Sequence, residues 1–283
     1  MSNEADDGKK MPLLDHLLEL RQRLLYSVVA LVVAFIGAFF FAEEIFRFLS
    51  EPLGQAMASH GIPIERQRMI FTGLLEVFVT YIKVAFFAAL FITCPVFLTQ
   101  IWLFVAPGLY RHERSAFAPF LIASPILFLL GAVLVYSVIF PLATDFLLNF
   151  ELERGQDQGG LPIELEAKVD QYLTLLMKLI FAFGLCFQLP VLMTLLARVG
   201  LATSAGMAAK RKYAILGVFV VAAIFTPPDP LSQLSLAIPI IVLYEVSILM
   251  AKLVEKKRAE LESTEEAEGI DPSRNSGGGL TES

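Results

Sequence analysis

Two carboxylates are placed where they could do specific chemistry. Glu19 lies in Pro12-Leu-Leu-Asp-His-Leu-Leu-Glu-Leu-Arg-Gln-Arg-Leu-Leu25, and Glu113 in Ala106-Pro-Gly-Leu-Tyr-Arg-His-Glu-Arg114. A carboxylate meets a guanidinium through two parallel charge-assisted hydrogen bonds, so two such acids on neighbouring elements could receive a pair of arginines. Plainer accounts use the same residues: a Glu19 to Arg23 pair on a solvated helix face, worth about 0.2–0.5 kcal/mol, and a charged turn after Pro107-Gly108. A third candidate, Gln188, sits two residues before Pro190 in a long apolar run. A polar group in such a run is costly and hence a candidate for function, although a neighbouring helix could equally satisfy it.

Other chemistries lack their residues. Cys94 and Cys186 both lie in apolar runs, where a thiol behaves as a small hydrophobe. His16, His60 and His112 are scattered over segments assigned to two sides of a bilayer, so no metal site or cofactor is expected. No Gly-x-x-x-x-Gly-Lys-[Ser/Thr] phosphate loop is present, since Gly8-Lys9-Lys10 does not make one. No apolar run holds a histidine or an acid pair placed for catalysis, which argues against an enzyme. A secondary transporter would show internally repeated halves, and none is evident despite Pro95, Pro190 and Pro239 in the runs.

The elements that must carry these residues follow from composition. The 283 residues are 56 % hydrophobic and 18 % charged, with a mean hydropathy of +0.67, whereas a soluble chain is about 45–50 % apolar and about 25 % charged. The chain therefore reads as an all-α polytopic membrane protein. A net charge of -6 with one Trp argues against nucleic acid as a partner. With about 20 residues needed per crossing, apolar spans fall at about 24–42, 84–105, 117–140, 172–197, 213–226 and 231–250. That is six transmembrane helices, the last two short. The acidic start lacks a cleavage site, so the first span is expected to stay in the mature protein.

Lys and Arg set the orientation. Segments 1–23, 106–116, 198–212 and 251–283 hold 15 of them, and the opposite segments 43–83, 141–171 and 227–230 hold 6. Both termini are thus expected in the cytoplasm. Three regions result: residues 1–23, a cytoplasmic segment with an amphipathic surface helix; 24–250, the transmembrane domain; and 251–283, a Glu/Lys-rich then Gly-rich cytoplasmic tail expected to be disordered. Lys178, left inside the fourth span, is expected to snorkel toward the outer surface.

Four motifs carry a resemblance: His16-Leu-Leu-Glu-Leu-Arg21, the loop Ala106 to Arg114, Phe187-Gln-Leu-Pro190, and Thr226-Pro-Pro-Asp-Pro-Leu-Ser-Gln233. In this order on six spans they resemble the twin-arginine protein translocase subunit TatC family, over about residues 12–252. The resemblance implies a receptor for export signals with two consecutive arginines. It further implies assembly with single-span TatA-type and TatB-type subunits in an oligomeric complex that moves folded proteins on the proton-motive force. Glu19 and Glu113 match the family's signal-contacting acids. His16 and Arg21 match the same surface, where Arg21 would orient Glu19 or hold lipid phosphate. Thr226 and Gln233 match polar groups that meet partner helices, while Gln188 stands where relatives often carry a glutamate.

Overall fold

In a computed structural model of the chain, residues 11–105, 118–156, 166–225 and 230–269 are described. The first helix, α1 (Met11–Phe40), is followed by α2 (Ala42–Ser59), which opens with Glu43 and Glu44 in its first turn. The helix dipole favours acids there. Leu49, Pro52, Leu53, Ala56 and Met57 give α2 a buried face at separations of three and four. A short link brings the chain to α3 (Glu76–Val105), which packs along α1. Next come α4 (Ala118–Leu134), one π-helical turn at Val135–Ile139 and α5 (Phe140–Gln156), a nearly continuous rod. α6 (Val169–Cys186) and α7 (Leu189–Arg198) form another, bent at Phe187-Gln188. Pro190 has no N–H for the carbonyl four residues back, which accounts for the bend. After α8 (Ser204–Ala209) and α9 (Arg211–Phe225), α10 (Pro230–Gly269) runs for 40 residues.

Among the described residues, five stretches are long and apolar enough to cross a membrane: Leu17–Phe40, Glu76–Phe104, Phe120–Asn149, Val169–Arg198 and Gln233–Lys257. They correspond to the first four expected spans and the sixth. The expected fifth corresponds to α9, whose 15 residues extend only about 22 Å. α1 passes through residue 23 without a break, so the amphipathic segment and the first span share one helix. The last helix continues past residue 250 to Gly269, its Glu/Lys-rich turns including a Lys256–Glu260 pair at 3.7 Å.

The bundle has two polar ends. The basic end bears the first turns of α1, the ends of α3 and α7, and the start of α9. There Glu255 accepts hydrogen bonds from the Ser204 backbone N–H at 2.6 Å and its hydroxyl at 2.5 Å. Arg211 meets Glu245 at 2.7 Å, and the Tyr244 hydroxyl donates to the Met207 carbonyl at 2.9 Å. Together these fasten α8 and the start of α9 to α10. At the opposite, acidic end, Glu76 accepts from the Thr72 and Gly73 amides at 2.8 and 3.0 Å. Lys83 reaches Asp170 at 2.5 Å, joining α3 to α6. A two-residue parallel pairing sets Met69–Ile70 beside Ala167–Lys168.

Between the ends the core is apolar: Val84 of α3, Phe128 and Val135 of the α4 rod, and Leu173, Leu176 and Phe183 of α6 are nearly inaccessible. Small residues let α4 and α6 approach closely. A Cβ on Gly184 would lie 2.4 Å from a Phe128 ring carbon, and one on Gly131 would lie 2.9 Å from the Phe183 carbonyl oxygen. Buried hydroxyls of Thr80, Thr93, Thr144, Thr194 and Ser247 each donate to the carbonyl four residues back. With no water to hand in hydrocarbon, that is the nearest acceptor.

Candidate functional site

Glu19 stands two turns into α1 on the side that packs against α3. Its carboxylate receives the Arg23 guanidinium, with Nε at 3.1 Å and Nη2 closer still. Arg23 in turn donates from Nη1 to Gln100 Oε1 of α3 at 3.4 Å, so the pair bridges two helices. Both side chains are about a quarter exposed, at 32 % for Glu19 and 21 % for Arg23. This is the i,i+4 pair that the spacing allows, and it gains weight from Gln100, which no sequence pattern marked. Residues 106–117 begin directly after Val105, five residues and about 7.5 Å along the axis beyond Gln100. Glu113 is among them and lies outside the described residues, so its separation from Glu19 is not part of the geometry.

The other sequence-derived candidates separate. Arg21 is exposed and follows Glu19 by two residues, which puts it about 200° round the helix. The guanidinium that meets Glu19 is that of Arg23. His16 belongs to α1 by its backbone, and its side chain lies outside the described residues, as does all of Thr226.

Gln188 occupies the bend between α6 and α7. Its amide Nε2 donates to the Ser124 carbonyl of α4 at 2.9 Å, while its Oε1 is buried without a partner among the described residues. The Ser124 hydroxyl accepts from Trp102 Nε1 of α3 at 2.8 Å. One serine thus ties α3, α4 and the α6–α7 bend together, a junction that sequence spacing missed because its members are 22 and 64 residues apart. The Gln188 amide acts here as a donor to a carbonyl, which an ionised glutamate could not do. Gln233, one turn into α10, donates to the Phe219 carbonyl of α9 at 3.2 Å and holds the last two helices together. Its amide nitrogen is thus engaged within the chain. The described residues contain no group of three or more His, Cys, Asp or Glu able to hold a metal.

The geometry is that of a helical membrane assembly with polar groups at helix contacts, and comparison with known proteins gives it a family. Residues 15–239 match the family model described as "Sec-independent protein translocase protein (TatC)". A TatC from Magnetococcus marinus is 49 % identical over 263 residues, covering 93 % of this chain and 92 % of that protein. One from Escherichia coli is 37 % identical over 241 residues, covering 85 % and 88 %. A crystal structure titled as the twin arginine translocase receptor TatC superposes with a TM-score of 0.71 at 36 % identity, covering 84 % of this chain and 99 % of that one. A second, in the detergent DDM, gives 0.72 at 37 % identity, covering 83 % and 99 %. The chain therefore belongs to the Sec-independent protein translocase (TatC) family, as a multi-pass component of a protein-transport complex in the bacterial cytoplasmic membrane rather than an enzyme.

Proposed function

We propose that this translocase component is the receptor for export signals bearing two consecutive arginines. Six helices, α9 included, cross the membrane with both termini and the basic end in the cytoplasm. The receptor then assembles with single-span TatA-type and TatB-type subunits, and folded cargo passes on the proton-motive force. The observation that carries the reading is Glu19, a partly buried carboxylate held across the α1–α3 contact near the end of α3. Such a carboxylate is already organised for a guanidinium, because Arg23 binds it as one.

The chemistry of recognition follows. An arginine of the signal replaces Arg23 at Glu19, and its neighbour reaches Glu113. Exchanging one guanidinium for another costs little Coulomb energy, and Arg23 keeps Gln100 as an acceptor when displaced. Lysine carries the same charge but lacks the planar fork, so the site discriminates by geometry more than by charge. His16 and Arg21 belong to the same face of the complex as contacts to lipid or signal. Gln188, Thr226 and Gln233 are contacts for partner helices, Gln188 from its half-buried place at the bend between α6 and α7.

The test is photocrosslinking in membranes with an Arg-Arg signal peptide and its Lys-Lys counterpart. Arg-selective labelling near Glu19 and Glu113 is the expected result. Equal labelling by both peptides would remove the two-carboxylate site.

A further inference from the structure

Lys178 has no part in signal recognition and no partner among the described residues. It is exposed on α6, whereas Lys83, Lys168 and Arg211 each reach a carboxylate within 4 Å. Gln171, seven residues earlier and also exposed, lies on the same strip of the helix two turns nearer the acidic end. The strip lies away from α4, which touches α6 at Phe183 and Gly184. It ends at exposed, apolar Leu185, one further repeat along.

The Gln171 amide and the Lys178 ammonium both donate hydrogen bonds, and the ammonium adds a positive charge, so the strip suits an anion. The adjacent acid, Asp170, does not compete because Lys83 holds it. Depth decides which anion can arrive. Lys178 is nine residues from the start of α6, about 13.5 Å along the axis. α9 packs on α6 and falls about 8 Å short of a hydrocarbon core of about 30 Å. Lys210, Arg211 and Lys212 anchor the first end of α9 at headgroup level, so the shortfall lies at its Phe225 end. A lysine snorkelling back by about one turn, about 5.4 Å, covers the remaining depth.

We propose that Gln171 and Lys178 bind the phosphate of a phospholipid that sinks beside the Phe225 end of α9, where the bilayer is locally thin. The site rests on α9 crossing the membrane and not on signal binding, and its test needs neither signal nor cargo. The full chain is purified in mild detergent and titrated with phosphatidylglycerol, and bound lipid is counted by native mass spectrometry. Lys178→Leu, apolar at a lipid-exposed position, lowers the occupied fraction at sub-saturating lipid at least about threefold. Lys178→Arg retains it, Gln171→Leu lowers it less, and inorganic phosphate at equal concentration does not displace the lipid. Equal retention by Lys178→Leu overturns the site, and displacement by inorganic phosphate overturns its assignment to lipid. A spin label at exposed Ile224 in vesicles reads headgroup depth on the face opposite Tyr213. A reading in mid-hydrocarbon overturns the thinning, and one on the Tyr213 face overturns the crossing itself.

Discussion

The contact between α4 and α6 makes a sharp prediction about Gly184. The Cβ of Gly184→Ala would stand 2.4 Å from Phe128 Cε2, where ordinary contact begins at 3.4 Å. The ring cannot simply yield, because Phe128 is 1 % exposed and sits between Phe91 and Phe181, with ring centroids 5.4 and 6.3 Å away. Overpacking of this kind costs about 1–3 kcal/mol, and the crowding puts Gly184→Ala at the upper end. The better helix propensity of Ala returns up to about 1 kcal/mol, leaving a net loss of about 2 kcal/mol. In a Phe128→Leu background the obstacle is gone, so the same substitution costs less than about 1 kcal/mol, giving a coupling of about 1–2 kcal/mol. Gly131→Ala is the control, since it meets the Phe183 carbonyl oxygen at 2.9 Å, which Phe128→Leu does not move. Unfolding of the four-member cycle and the control in detergent titrated with SDS measures all three. Additive losses for Gly184→Ala and Phe128→Leu, or a Gly184→Ala protein as stable as the parent, would refute the packing argument.

Other expectations concern the polar contacts. Glu19→Ala and Glu113→Ala each weaken Arg-Arg peptide binding by about tenfold or more, the scale of one charge-assisted bond of about 1.5–3 kcal/mol, and leave membrane insertion intact. Titration of a labelled peptide measures this, and unchanged affinity in the double variant counts against both acids. Ser124→Ala strands the buried Trp102 N–H and costs about 1–3 kcal/mol. Gln188→Leu removes a hydrogen bond together with an unpartnered carbonyl and stays within about 1 kcal/mol of the parent, so an SDS titration that reverses this order would disprove the junction. Lys83→Ala loses under about 1 kcal/mol because the ion pair is substantially exposed. Exchanging the two charges as Lys83→Asp with Asp170→Lys recovers most of that loss in the same assay.

Hydropathy and length made the long spans and the shortness of α9 readable without coordinates, because the bilayer fixes how much apolar helix a crossing needs. The positions of Glu19 and Gln188 were readable too, as charges or amides beside apolar runs. Their partners were not. Gln100 is 77 residues from Arg23 and Ser124 is 64 from Gln188, and no local periodicity encodes such pairs. Arg23, not singled out beyond its i,i+4 spacing, is the guanidinium that meets Glu19. Even α2 had a legible signature in its acidic first turn and its face from Leu49 to Met57. Its modest hydropathy kept it out of a search for spans.

The Glu255 contact to Ser204 draws a line through the end of the chain. Shortening the protein after Lys257 leaves that carboxylate in place, with α8 still fastened to α10. Shortening it after Val254 removes the carboxylate and leaves α8 to the Tyr244 hydrogen bond and the packing of Met207 on Ile248 and Ala251, with Arg211–Glu245 still holding the start of α9. Proteolysis of the two shortened proteins should therefore differ in the segment from Val199 to Lys210, forty or more residues upstream of either cut. A purification handle belongs beyond Gly269, where the helical rod of α10 holds it clear of that clasp.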